Sequence, residues 1–102
     1  MLVKVNELLK TVDGQTMKDN DGKGNAIDAT VKLAIVNALL NPEKDDTPIR
    51  KLEKGELIRK IYKAKDEIDL TAEEITLCKK RVGEVFPNPL IVLQVIEILE
   101  GK

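Results

Sequence analysis

A mainly α-helical fold is predicted for this chain, with about four helices and a small β-hairpin or turn region near the N-terminus. The first observation behind this prediction is a helix start at Thr71, where a capping residue precedes apolar residues at three- and four-residue spacing. The second is a nearly continuous apolar segment from Leu90 to Leu99, opened by the helix-initiating pair Asn88-Pro89. The third is a pair of Asp-Gly turn dipeptides within residues 1–27.

The length of 102 residues indicates one domain. Within it we expect residues 1–27 to hold a short helix and the hairpin, and residues 28–102 to form a helical core. Tyr62 and Phe86 are the only aromatic residues, so the core must be built from Leu, Ile, Val and Ala. A core this thin favours association that buries further apolar surface.

The charge balance and the missing residue types exclude several classes of function. Seventeen basic residues stand against 18 acidic ones, which argues against non-specific binding of nucleic acid. There is no histidine and no serine, so histidine acid–base catalysis, Ser–His triads and His–metal sites are excluded. A single cysteine allows no intramolecular disulfide and indicates a cytoplasmic protein. We expect no enzymatic activity, no cofactor, no metal site and no membrane segment.

The segment 3–12 is the least defined part of the sequence. Val5, Leu8 and Leu9 fall on one side of a two-turn helix, which we favour over a strand. Isolated helices of this length are weak, so the strand stays open as the alternative.

The second Asp-Gly dipeptide, Asp21-Gly22, separates two short runs at residues 15–18 and 24–27. Glycine supplies the positive φ that tight hairpin turns require, so these runs predict a small β-hairpin. The runs contain few apolar residues, and a disordered loop is the alternative.

Two helices are predicted in the middle of the chain. Asp28 is the expected N-cap of a helix over residues 29–40 that is apolar on two faces. Thr47, followed by proline, opens the next helix, which we expect to reach Lys65. A bend or break is expected at Gly55 within it.

Residues 66–69 are predicted to be a short acidic connector into a helix capped by Thr71. Glu74, at the third helical position, can bind the backbone N–H of Thr71 and complete a capping box. Cys78 falls on the apolar stripe of this helix with no histidine to activate it. We therefore expect a buried, inert thiol.

The last helix carries the clearest prediction of an interface. Between Leu90 and Leu99 only Gln94 and Glu97 are polar, which leaves about two thirds of the helix circumference apolar. A domain of this size rarely buries so much apolar surface against its own core. We therefore expect a homo-oligomer, or contact with a partner protein, through the apolar residues of this helix: Leu90, Ile91, Val92, Val95, Ile96 and Leu99. The alternative is a central core helix.

A basic run in the helix that follows Thr47 is the second candidate site. Seven basic residues lie between residues 48 and 65, against Glu53 and Glu56. They are Arg50, Lys51, Lys54, Arg59, Lys60, Lys63 and Lys65. Arg59, Lys60 and Lys63 form a basic face that would hold an anion such as a nucleotide or nucleic acid. A solvated lysine-rich face is the alternative, and we favour it because no glycine-rich phosphate loop is present.

Residues 5–40, VNELLKTVDGQTMKDNDGKGNAIDATVKLAIVNALL, and residues 60–100, KIYKAKDEIDLTAEEITLCKKRVGEVFPNPLIVLQVIEILE, resemble small proteins encoded by tailed bacteriophages and prophages. The resemblance rests on turn glycines, caps and apolar stripes, and it implies action in the cytoplasm of a bacterial host. We therefore expect a non-enzymatic, oligomeric phage accessory protein that binds or inhibits a host component. A phage assembly factor or chaperone is the first alternative. A nucleotide or nucleic-acid binder that uses the basic helix is the second.

Overall fold

Four helices and two short antiparallel strand pairs form the structure, a computed structural model that describes residues 1–101. The strands are β1 (Leu2–Lys4), β2 (Lys18–Asn20), β3 (Ala26–Asp28) and β4 (Glu67–Asp69). The helices are α1 (Val31–Leu40), α2 (Pro48–Lys63), α3 (Ala72–Val85) and α4 (Pro89–Leu99). The fold is helix-rich, as predicted, but the two strand pairs make it mixed rather than purely helical.

Helix α1 lies at the centre of the structure and packs against α2, α3 and α4. Six of its ten residues are buried. One predicted apolar face, formed by Leu33, Val36 and Leu40, is only partly buried, because Val36 is 7% exposed and Leu40 is 60% exposed. Buried side chains from β1, β4 and the four helices form one hydrophobic cluster.

The start of α1 corrects the predicted cap. Thr30, rather than Asp28, is the N-cap, and its Oγ1 accepts the N–H of Leu33 at 3.2 Å. Asp28 is the last residue of β3, where it lies opposite Lys18 and its carboxylate pairs with the Lys18 ammonium. Strand pairing holds Asp28 in the sheet, two residues before the cap, so the helix begins later than predicted.

The segment 3–12 contains a strand and turns, and the predicted short helix is wrong. Val3 lies opposite Ile68 in the antiparallel β1–β4 pair, and the Val5 N–H donates to the carbonyl of Asp66 at 3.0 Å. Val3 and Val5 are both fully buried, which is the alternation of a strand. The acidic connector predicted between α2 and α3 therefore contains β4. Because the paired strands are far apart in the sequence, the local pattern of either one does not reveal the other.

The predicted hairpin is present, since β2 and β3 pair antiparallel with Lys18 opposite Asp28. Its strands, at residues 18–20 and 26–28, lie later in the chain than the predicted runs at 15–18 and 24–27. The Asp21 carboxylate accepts the N–H of Lys23 at 2.7 Å inside the turn. Gly22 has a φ of +83°, a left-handed conformation that glycine adopts without steric cost. The Asp-Gly dipeptide therefore lies in the hairpin turn, as its residues predict.

Helix α2 begins where the sequence predicts and runs without a break. The Oγ1 of Thr47 accepts the N–H of Arg50 at 3.1 Å, and a proline occupies the first turn. The expected bend or break at Gly55 is wrong, because the helix continues through it to Lys63, two residues short of the predicted end. Gly55 lies on the exposed side of α2. Buried residues before and after it, Lys54 and Leu57, hold the helix against the rest of the structure.

Helix α3 confirms the predicted capping box. The Oγ1 of Thr71 accepts the N–H of Glu74 at 3.1 Å, and the Thr71 N–H donates to the Glu74 carboxylate at 2.9 Å. Leu70 before the cap and Ile75 at the fourth helical position are both buried. These short-range contacts place the first turn of α3 at the end of β4.

We expect Thr71→Ala to lower the free energy of unfolding by roughly 0.5–2 kcal/mol, because the N–H of Glu74 loses its acceptor. Glu74→Ala should also destabilise the protein, and the two effects should be non-additive because both residues belong to one box. Urea denaturation of the two single variants and the double variant measures this coupling.

Thr76→Ala is the matched control in the same helix. Its hydroxyl is exposed and binds only the carbonyl of Ala72 at 2.9 Å, so this change should alter stability by less than about 0.5 kcal/mol. Strictly additive effects at Thr71 and Glu74 would contradict a reciprocal box.

Candidate binding surfaces

Helix α4 is built from a strong local start followed by apolar residues. The Asn88 side chain accepts the N–H of Leu90 at 2.9 Å, and Pro89 occupies the first helical position. Both features are those that the sequence predicts. The helix packs against α1, α3 and β1.

The eight large apolar side chains of α4 are unequally buried. Only Val95 and Leu99 are fully buried, and Leu93 is 55% exposed. The remaining five are partly buried: Leu90, Ile91, Val92, Ile96 and Ile98. Ile91, Val92 and Ile98 pack against the hydrophobic cluster. Val95 and Leu99, which the sequence predicted as interface residues, are buried in the chain's own core, so the prediction is wrong for these two. The apolar surface of α4 that the core leaves uncovered is formed by Leu90, Leu93 and Ile96.

Gln94 attaches α4 to the N-terminal segment, a role that the sequence does not reveal. Its Oε1 accepts the backbone N–H of Lys10 at 2.8 Å, and its Nε2 donates to the Lys10 carbonyl at 2.8 Å. The side-chain amide thus pairs with a backbone peptide group as a neighbouring strand would. In the sequence Gln94 is only a break in an apolar run, and its partner lies 84 residues away.

The basic residues of α2 are divided between the surface and the interior. Arg59, Lys60 and Lys63 are exposed, and the Lys60 Nζ lies 3.2 Å from the carboxylate of Glu74. Lys54 belongs to the predicted basic run, but it is 4% exposed and points into the protein. The surface therefore carries a smaller basic face than the sequence suggests.

An ionic cluster centred on the buried Lys54 joins α2 and α3 to the loop after α1. The Lys54 ammonium pairs with Glu43 and lies 2.8 Å from the Asp46 carboxylate. Glu43 also lies 3.5 Å from Arg81 Nη1 and 3.4 Å from Lys80 Nζ. We define the ionic cluster by these residues, Glu43, Asp46, Lys54, Lys80 and Arg81.

Arg81 is as deeply buried as Lys54, with 4% of its surface exposed. Its Nη2 donates to the carbonyl of Asn41 at 2.9 Å, and its Nη1 donates to Glu84 at 3.0 Å. The bond to Asn41 satisfies a backbone carbonyl at the C-terminus of α1, where the last carbonyl groups have no N–H donor within the helix. Its Nε is also buried and has no hydrogen-bond partner within residues 1–101.

The cluster lowers the pKa of two carboxyl groups. Hydrogen bonding to the Lys54 ammonium is the main cause for both Glu43 and Asp46, and the charge of Arg81 adds to the effect at Glu43. Partial burial acts in the opposite direction but is outweighed. Both carboxylates therefore stay ionised at neutral pH and balance the buried cations.

Cys78 is fully buried, as predicted. Burial raises the pKa of its thiol to about 12, and the charge of Glu74 acts in the same direction. At neutral pH the side chain is therefore a protonated thiol packed in the core, and it is a poor nucleophile.

Residues 1–101 contain no cluster of three or more Cys, Asp or Glu side chains arranged to hold a metal ion. None of the helices in this part of the chain has both the length and the apolar character needed to cross a membrane.

Comparison with protein-family models, with curated proteins and with solved structures gave no match for this chain.

We expect Glu43→Gln to lower stability at neutral pH, because the buried Lys54 and Arg81 lose a compensating charge. It should also flatten the acid limb of the stability profile. The folded-state pKa of Glu43 is depressed, so its contribution is complete above the unfolded pKa and is lost as pH falls through the folded value. Thermal denaturation between about pH 7 and pH 3 measures both effects.

Glu7→Gln is the control, because Glu7 is an exposed carboxylate without an ion pair in the part of the chain that the structure describes. It should leave the pH profile unchanged. The role of the ionic cluster would be contradicted if the stability of the wild type and of Glu43→Gln fell with the same slope between about pH 5 and pH 3.

Proposed function

We propose that this protein is a non-enzymatic binding protein that acts as a homo-oligomer, with α4 as the contact between copies. The observation that carries the proposal is the incomplete burial of the apolar side chains of α4. Only Val95 and Leu99 are fully buried within one chain, and Leu93 is 55% exposed near the middle of the helix. A second copy is the occupant that we assign to this face.

The free energy available from covering this face is large for a small domain. Full burial of a Leu or Ile side chain is worth about 1.5–3 kcal/mol relative to exposure. Leu90, Leu93 and Ile96 are each exposed or partly buried, so their completed burial would add several kcal/mol. The whole stability of a native domain is about 5–15 kcal/mol.

The spacing of these residues suits a two-fold contact. Leu90, Leu93 and Ile96 are separated by three residues and span an arc of about 120° on the helix surface. An axis beside Leu93 would place it against its own copy, with Leu90 against Ile96 of the partner. A symmetric pair of this kind uses the same surface on both chains and closes as a dimer.

The composition and the one thiol support the non-catalytic part of the proposal. Histidine and serine are absent from the whole sequence, and Cys78 is a protonated core residue. We rank binding of nucleotides or nucleic acid lower, because Lys60 is paired with Glu74 and Lys54 belongs to the ionic cluster.

For the biological role, we propose a phage accessory protein that binds or inhibits a host component in the bacterial cytoplasm. The resemblance of residues 5–40 and 60–100 to small phage-encoded proteins supports this role. A phage assembly factor or chaperone is the second candidate, and self-association through α4 would serve either role.

Wild-type protein should sediment as a dimer at tens of micromolar, with a melting temperature that rises with concentration. Leu93→Gln should weaken association at least tenfold, because it places an amide at the centre of the contact. Leu52→Gln is the control, since Leu52 is 64% exposed on α2, away from α4. The proposed contact would be overturned if the wild type sediments as a monomer, or if Leu52→Gln weakens association as much as Leu93→Gln does.

Affinity capture of the chain from phage-infected cells, followed by mass spectrometry, should separate the two roles. Enrichment of bacterial proteins over virion proteins is the expected result. Recovery of capsid or tail proteins alone would replace the first role with the assembly role. Leu93→Gln protein serves as the parallel sample, because it shows which partners require the oligomer.

A further inference from the structure

An open groove lies between α2 and the first half of α3. Both helices pack against α1, and the groove encloses about 700 Å³ between them. Its apolar lining comes from Ile49, Leu57 and Leu77. Ile49 is 69% exposed, and Leu77 is partly buried, so apolar surface is accessible from solvent. We call this surface the α2–α3 groove.

The walls of the α2–α3 groove are acidic. Four carboxylates line it against two cations, Arg50 and Lys60, and these carboxylates are Glu53, Glu56, Glu73 and Glu74. Lys60 is already paired with Glu74 at 3.2 Å. The other three glutamates have no ion pair within residues 1–101. Because α2 supplies two of them and α3 supplies one, negative charge lies on both sides of the apolar lining.

The acidity is a property of this groove and not of α2 as a whole. Arg59 and Lys63 are exposed on α2 but do not line the groove, and neither does the exposed Leu52. The net charge of the whole chain is only −1. A ligand that complements the groove must therefore combine apolar and positively charged groups.

We infer that the α2–α3 groove binds a basic, amphipathic helical segment of a partner protein. Apolar side chains of the segment would lie on Ile49 and Leu77, and its lysines or arginines would face the unpaired glutamates. This is the pattern of a helix in a groove, where apolar anchors give affinity and flanking charges give orientation. The part of α2 that lines the groove, from Ile49 to Lys60, is about 17 Å long, enough to line a partner helix of three turns. The inference names a partner class for the binding protein proposed above and rests on that proposal.

The first test is a titration with a defined probe, a fluorescein-labelled helical peptide of about 16 residues with leucine on one face and lysine on the other. We expect it to bind with micromolar affinity at low salt and more weakly as salt screens the charges. A matched peptide with glutamate in place of lysine should not bind. No binding of the basic peptide, or equal binding of both peptides, would overturn the inference.

The second test removes the charge of the groove. A variant that combines Glu53→Gln, Glu56→Gln and Glu73→Gln should bind the basic peptide at least tenfold more weakly than the wild type. A control set carries the same change of charge elsewhere, at exposed carboxylates: Glu7→Gln, Asp19→Asn and Glu67→Gln. The control should bind within twofold of the wild type. Equal losses in the two sets would show general attraction to an acidic protein and reject a specific groove.

The third test concerns the apolar lining and uses two exposed side chains of the same helix. Ile49→Ser should lower the affinity for the peptide at least fivefold. Leu52→Ser, outside the groove, should leave the affinity unchanged. Both side chains are more than half exposed, so neither change should unfold the protein. Equal affinities for the two variants would overturn the proposed contact with Ile49.

Sedimentation of the same variants separates this inference from the proposed α4 dimer. The groove variants should remain dimers, and Leu93→Gln protein should still bind the basic peptide. If removing the three glutamates dissociates the oligomer, a second copy occupies the groove and the inference fails. If the wild type is monomeric but binds the peptide through the groove, the proposal of an α4 dimer is rejected and the proposal of a peptide-binding groove is kept.

Discussion

The burial of α1 is the constraint on which the rest of the structure depends. The chain has two aromatic residues, so its core is built from small aliphatic side chains packed around one ten-residue helix. Helices α2, α3 and α4 all use α1 as their common partner. Each of them therefore has one side in the core and another without a partner, which explains why the two candidate surfaces lie on α4 and between α2 and α3.

The ionic cluster performs a different task from the aliphatic core. Lys54 and Arg81 are buried cations, and their desolvation cost offsets much of the attraction to Glu43 and Asp46. The gain is positional, because the cluster connects the loop after α1 to α2 and α3, and Arg81 also binds the Asn41 carbonyl. This arrangement connects both helices to the end of α1, against which both pack, and the α2–α3 groove lies between them.

The two proposed surfaces differ in the physical basis of binding. The outer side of α4 is apolar, with Leu93 near its centre, and suits a contact between identical copies. The α2–α3 groove is apolar with acidic walls, and it suits a partner of opposite charge. A dimer formed through α4 would present two such grooves, so one oligomer could hold two copies of a basic segment.

Most features that depend on neighbouring residues could be predicted from the sequence alone. The cap of α1 is an exception, because the pairing of β2 with β3 holds Asp28 in a strand and leaves the cap to Thr30. The caps at Thr47, Thr71 and Asn88 and the turn at Gly22 require contacts within about four residues, so their residue types were sufficient. The large apolar surface of α4 could also be predicted, because it follows directly from the residue types of positions 90–99. Pairing of β1 with β4, the inward position of Lys54 and the α2–α3 groove depend on residues distant in the chain. Only the tertiary structure decided them, because periodicity shows which side of a segment is apolar and does not show which distant segment will cover it.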